Sequence, residues 1–316
     1  MHPWNQPILD SVKSRLERLP HALLIHGARG VGKLALGERI AQLLLCEHAE
    51  EARRPCDACD GCRWFLAGNH PDFRRLEPEA LMKEPAEPEE ESIAKRSKQP
   101  SIVIRIEQVR ALADFLYVGS HRGKRRVALV HPAEDMNANA ANSLLKALEE
   151  PPAGAVFVLV SHRPTRLLPT VRSRCVAIPV PIPAPDVARG WLAGQGAKDP
   201  ERWLAYAGGA PLRALEYAAD AAAYDRAIRS PAQVEDRDEL ERLAEALQKS
   251  AYDRAFSAFG LPPKYRASSA ATRPELGRPW LAYARAMGEN RLLVRHPLNV
   301  ALFSADMLAA RPEDLE

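Results

Sequence analysis

Residues Ala22-Leu23-Leu24-Ile25-His26-Gly27-Ala28-Arg29-Gly30-Val31-Gly32-Lys33 decide how the chain is read. The first five form a short apolar strand candidate, and Gly27 to Lys33 match G-x-x-x-x-G-K. Leu36, Ile40, Leu43 and Leu44 then keep the i, i+4, i+7, i+8 spacing of one helix face. A loop between a strand and a helix turns backbone N–H groups onto a phosphate, with the helix N-terminus and the lysine adding positive charge. Gly27, Gly30, Gly32 and Lys33 are therefore candidate phosphate-loop residues. Leu34, however, stands where a Ser or Thr hydroxyl would hold Mg²⁺. The strand candidate Val127-Ala128-Leu129-Val130 runs into His131-Pro132, with no carboxylate at its tip. Glu134 and Asp135 follow a turn later and are expected to project elsewhere. By itself the loop fits either phosphate binding or a fold element kept without turnover; the two losses together favour a site that does not hydrolyse nucleotide.

Outward from this loop, short apolar runs alternate with helical patterns, the signature of an α/β fold with a parallel sheet. Further strand candidates are Ile102-Val103-Ile104-Arg105-Ile106, Val156-Phe157-Val158-Leu159-Val160 and Cys175-Val176-Ala177-Ile178, which makes five strands in a doubly wound sheet over residues 1–180. A charged, proline-broken insertion is expected over 77–100. The proline-spaced run from Pro179 to Pro185 reads as a stiff hinge. Beyond it the pattern is all helical, with a second boundary near residue 230, giving segments 181–230 and 231–316.

The 316 residues are 46% hydrophobic and 27% charged, with a net charge of +3, too weak a basic balance to argue for nucleic acid alone. No run of 18 apolar residues exists, and the N-terminus has no secretory pattern, so a cytoplasmic protein without a membrane span is expected. Four of the five cysteines fall between Cys46 and Cys62. Cys56, Cys59 and Cys62 carry two overlapping C-x-x-C pairs, a spacing that places two sulfurs on one tetrahedral ion. Cys46, Cys56, Cys59 and Cys62 are expected to bind one structural Zn²⁺. A redox dithiol is the competing reading of the spacing. Ser173-Arg174-Cys175 precedes the last strand; spacing does not choose between a solvated arginine and one reaching a neighbour's phosphate.

These motifs, in this order, together with Ala141-Asn142-Ser143-Leu144-Leu145-Lys146-Ala147-Leu148-Glu149-Glu150-Pro151-Pro152, resemble the bacterial clamp-loader subunits of the AAA+ class. The resemblance covers most of residues 1–180. Within that family the losses at Leu34 and His131-Pro132 are similar to the non-hydrolysing delta prime branch of DNA polymerase III, not the gamma and tau motors, and the chain is expected to stop where tau continues. The resemblance implies an AAA+ module with a zinc insertion at 46–62, a helical lid (181–230) and a helical collar for oligomerisation (231–316). It further implies partnership with motor and delta subunits, transient contact with the sliding clamp and primer-template DNA, and weak or absent ATP or ADP binding of its own. Arg174 would serve as an arginine finger on the adjacent motor subunit's nucleotide. The lid's sensor arginine has no clean match, since Arg213 stands one place late. An active motor subunit, or a zinc-ribbon nucleic-acid-binding protein, are the alternatives.

Overall fold

The computed structural model describes residues 1–82, 100–118, 125–268, 272–294 and 296–312. Most of the expected charged insertion, 83–99, lies outside the described residues. The chain divides into two compact units, Met1–Ile182 and Pro183–Glu316.

In the first unit, five strands make one parallel sheet: β1 (Ala22–His26), β2 (Phe73–Leu76), β3 (Arg126–Val130), β4 (Ala155–Ser161) and β5 (Val176–Pro179). Their spatial order is β2-β3-β4-β1-β5, and all four pairings are parallel. The helices are α1 (Gln6–Lys13), α2 (Lys33–Leu45), α3 (Asp60–Leu66), α4 (Ile106–Tyr117), α5 (Ala138–Glu149) and α6 (Pro169–Arg172). Strands β3, β4 and β1 are apolar at nearly every position because helices cover both faces of a parallel sheet. Leu24, Val130, Phe157 and Leu159 face one core with Val109 and Leu112 of α4 and Leu144 and Leu148 of α5. On α2, a Cβ added to Gly37 would lie 3.0 Å from Leu129 and 3.1 Å from Val160, so the missing side chain lets the helix lie close on the sheet.

One strand expectation is corrected. The run 102–106 is not a sheet strand: Ile104 forms an isolated bridge to Met136, and Ile106 opens α4. Ile104 is fully buried while Ile102 is 44% exposed, so a β-branched run here supplies one core plug and a helix start. The fifth strand is β2, whose Phe-Arg-Arg-Leu sequence hides its character. As an edge strand it need not be apolar on both faces. Arg74 lies 4.7 Å over the Phe115 ring, and Arg75 is ion-paired with Glu38 of α2.

The second unit holds α7 (Pro185–Gly194), α8 (Pro200–Tyr206), α9 (Pro211–Ala219), α10 (Ala221–Arg229), α11 (Arg237–Ala258), α12 (Pro274–Leu293) and α13 (Val300–Ala309). One core gathers Trp203, Tyr206 and Tyr217 with Ala188 and Leu192. Another is built from α11, α12 and α13 around Leu240, Leu243, Trp280 and Met287. Buried charge joins α9 to α11 and α12: Glu245 accepts from Tyr217 Oη (2.7 Å), and its carboxylate pairs with Arg213 (3.1 Å), Lys249 (3.0 Å) and Arg291 (3.2 Å). Arg213, the displaced sensor candidate, is thus engaged with Glu245, Glu216 and Tyr217. No helix among the described residues is long and apolar enough to cross a membrane.

Candidate functional site

The phosphate loop leaves the carboxyl end of β1, which lies between β4 and β5, at the place where strand order reverses. Gly30 (φ 85°) and Gly32 (φ 81°) take left-handed backbone, and Gly32 is the N-cap of α2. The N-terminal turn Pro3–Asn5 packs over this point. Asn5, fully buried, donates Nδ2 to the carbonyls of Val31 (3.2 Å) and Gly32 (3.1 Å), and Trp4 Nε1 donates to Val31 (3.0 Å). A Cβ on Gly32 would fall 2.3 Å from the His2 ring. Lys33 is buried and donates Nζ to the loop's own Ala28 carbonyl at 2.5 Å. Burial lowers its pKa to about 8, against the attraction of Glu134.

That attraction corrects the expectation for Glu134. The loop after β3 folds back, and Glu134 Oε1 accepts from the backbone N–H groups of His162 (2.9 Å) and Arg163 (3.1 Å) at the end of β4. His131, the residue after β3, meets His162 edge-on with ring centroids 5.3 Å apart. Burial first, and then Arg75 for His131 and Lys33 for His162, push these imidazoles down to about 4 and about 3. Both rings are therefore neutral at pH 7. Their Nδ1 atoms and Glu134 Oε2 are buried without a hydrogen-bond partner among the described residues. His162 carried no sequence signal beyond its place at the tip of the strand beside β3.

The four cysteines of the metal expectation come together. Cys46 ends α2, Cys59 caps α3, and Cys62 lies in its first turn. All four sulfurs lie within 4.8 Å of one another. Cys46 Sγ stands 3.6 Å from Cys56 Sγ and 3.8 Å from Cys59 Sγ. A tetrahedral ion with sulfurs at about 2.3 Å sets them about 3.8 Å apart, whereas a disulfide needs about 2.05 Å. The five cysteines are unbonded, so the group could hold one metal ion, and four thiolates suit zinc. Backbone N–H groups of Ala58 and Cys59 draw the Cys56 thiol down to about 6, while burial raises Cys46 and Cys62. Asp57, in left-handed backbone, fixes the knuckle onto α2 through Arg39 Nη2 (2.9 Å) and Gln42 Nε2 (2.9 Å).

Arg174 lies elsewhere on the first unit, between α6 and β5. Its guanidinium donates to the Thr170 carbonyl (2.8 Å) and is ion-paired with Glu149, the first glutamate of the Glu149-Glu150-Pro151-Pro152 sequence. The side chain remains about one third exposed (34%). The two family-specific motifs, far apart in sequence, thus meet at this pair.

The family model described as "DNA polymerase III, delta subunit" matches residues 7–183. The chain belongs to that family. Among curated relatives, the DNA polymerase III subunit delta′ of Pseudomonas aeruginosa is 40% identical over 218 residues, 68% of this chain and 60% of that protein. The delta′ subunit of Escherichia coli is 32% identical over 65% of this chain and 56% of its own length. The matched part thus spans under two thirds of these DNA polymerase III relatives. A solved gamma subunit-related protein of DNA polymerase III from Thermotoga maritima covers 95% of this chain and 97% of its own, with 17% identity and a TM-score of 0.49. A five-stranded parallel α/β unit with its cysteine cluster, followed by helices, is the order of parts expected from the sequence. The delta-family match takes in the phosphate loop, the four cysteines and Arg174, and stops as the helical unit begins.

Proposed function

We propose that this chain is the non-hydrolysing delta prime-type subunit of a DNA polymerase III clamp loader, acting in ATP-driven placement of the sliding clamp on primed DNA in the cytoplasm or nucleoid. The observation that carries the reading is the phosphate loop. Lys33 is turned onto Ala28, Leu34 has no hydroxyl, and His131 and His162, neutral at pH 7, stand at the strand tips. Turnover needs a lysine on the terminal phosphates and oxygen ligands for Mg²⁺. Glu134 is a nearby carboxylate, and its Oε1 is engaged with backbone N–H groups. Own-site ATP or ADP binding is accordingly weak or absent.

In this reading Cys46, Cys56, Cys59 and Cys62 hold one structural zinc. The ion would bind the end of α2 to the start of α3, leaving no open coordination position for chemistry. Arg174 acts in trans on a motor subunit's nucleotide. Its planar fork of donors suits a terminal phosphate, and its partial exposure beside Glu149 leaves it reachable. The helices over 181–230 form the lid, and those over 231–316 the collar that joins motor (gamma or tau) and delta subunits; contacts with clamp and DNA are transient. The deciding test is steady-state ATPase activity of the purified chain with Mg²⁺. No turnover above background is expected. Hydrolysis abolished by Lys33→Ala would make the chain a motor subunit instead.

A further inference from the structure

The helical unit contains a cavity of about 340 Å³ that is lined, among the described residues, by seven side chains, Lys249, Lys264 and Arg291 included and no acid. A volume above about 300 Å³ is the size class of small-ligand sites. Its remaining walls are aromatic and amide side chains, among them Tyr252, Phe256 and Tyr265.

Among the described residues the groups around these walls leave one cation in excess: Lys249, Lys264, Arg291 and Arg213 stand against Glu245, Asp253 and Glu216, the last paired with Arg213. Glu245 is the carboxylate bonded to Lys249 and Arg291, and it is shared with Arg213. Asp253 gives its oxygens to the backbone N–H groups of Tyr265 (2.8 Å) and Ala267 (2.6 Å), fixing the loop that carries Lys264. Arg291 also donates to Gln248 Oε1 (2.7 Å) and Lys249 to Tyr217 Oη (3.0 Å), and ring faces hold the two lysines. Lys249 Nζ lies 3.9 Å from the Tyr206 centroid and 4.5 Å from that of Tyr217, and Lys264 Nζ lies 5.2 Å from that of Tyr265. Ring faces favour a cation but cannot neutralise it. An anion entering this cavity would meet Lys249 and Arg291 already held by Glu245, with the exposed Lys264 side chain beside them on a loop braced by Asp253, so much of the ordering is done before binding.

We propose that this cavity is a binding site for a nucleoside phosphate, its phosphate among Lys249, Lys264 and Arg291 and its base against the Tyr252 and Tyr265 rings. Cationic groups combined with exposed ring faces are how proteins hold nucleotides without reading their sequence. The ligand could be a free nucleotide or one unit of a single strand, which share this chemistry.

The test is calorimetric titration of the full chain at low salt with inorganic phosphate, adenosine monophosphate and a short oligo-deoxythymidine. Saturable binding of the monophosphate, tighter than that of phosphate, is expected. Lys264→Glu, at an exposed loop position, should weaken it at least fivefold, and Lys264→Gln less. Lys33→Ala should leave it unchanged, which separates the cavity from the phosphate loop. Tighter binding of the oligonucleotide than of the monophosphate assigns the site to a strand, and the reverse to a free nucleotide. Absence of saturable binding by all three probes, or binding indifferent to Lys264→Glu, overturns the proposal.

Discussion

Arg174 and Lys33 carry the same charge into opposite surroundings, and the contrast makes their roles separable. Arg174 is partly exposed and paired with a still more accessible Glu149; such pairs contribute about 0–1 kcal/mol. Arg174→Ala should therefore unfold within about 1 kcal/mol of the parent in denaturant. Reconstituted with motor and delta subunits, it should lower ATPase and clamp loading in part, because one motor site would lose a group worth on the order of 10³–10⁵ in rate. Normal assembly with undiminished loading would leave Arg174 as a surface arginine. Lys33 is different: burial lowers its pKa from 10.5 to about 8. A base with a depressed folded pKa opposes folding while it is charged, and that cost disappears as pH rises from about 8 to 10.5. Lys33→Met is accordingly expected to unfold at an unchanged or higher temperature at pH 7. A clear drop in the midpoint of Lys33→Met, with added ATP raising the midpoint of the parent and not that of the variant, would mean that the lysine serves a bound nucleotide.

At the scale of elements, two short segments decide the state of the first unit. Between Glu47 and Asp60 the knuckle joining α2 to α3 buries no residue, so metal binding and local folding share one free energy. Metal analysis should find one zinc per chain, and Cys56→Ser should abolish it and expose 46–62 to protease. The sheet should survive, since β1, β3 and β4 draw their core from α2, α4 and α5. Loss of all tertiary structure in the Cys56→Ser chain would contradict the modular reading. The turn Pro3–Asn5 is the second segment. Asn5→Ala removes two buried hydrogen bonds to the start of α2, while Val31 keeps Trp4 Nε1 and Gly32 keeps the Leu36 N–H as donors; at about 0.5–1.5 kcal/mol for each lost bond the cost is about 1–3 kcal/mol. A destabilisation of that size in urea is expected, together with faster hydrogen exchange in the first turn of α2. A silent Asn5→Ala would mean that this turn does not brace the loop.

For the molecule as a whole, the Glu245 cluster gives the helical unit a pH dependence. Burial disfavours the Glu245 carboxylate, but Lys249, Arg291 and Arg213 outweigh that and hold its pKa at about 2, against 4.5 when unfolded. A depressed carboxylate stabilises the fold fully above about 4.5 and loses that contribution as pH falls toward about 2. About 3 kcal/mol should disappear across that window in denaturant titrations. In Glu245→Gln the slope should flatten and stability at pH 7 should fall by about 3–5 kcal/mol, since three cations lose their shared anion. An unchanged slope would assign the acid sensitivity to other carboxylates.

Residues close in sequence carried most of what could be read before the structure. The phosphate loop, the helix behind it, the four cysteines and three long apolar strands are all local patterns, because hydrophobic periodicity and turn chemistry act over a few residues. The absent hydroxyl at Leu34 and the proline at 132 are likewise single-position facts. Strand β2 was illegible because its two arginines are accounted for by Phe115 and Glu38, each 37 or more positions away. Ile102 to Ile106 misled for the opposite reason, since a β-branched run signals burial without saying whether a ladder partner exists. The return of Glu134 onto β4, the meeting of His131 with His162, the seat of Asn5 on α2, the Arg174–Glu149 pair and the Glu245 cluster all join distant positions. Their energies depend on desolvation and on distances of a few ångströms, quantities that exist only once the chain has closed on itself.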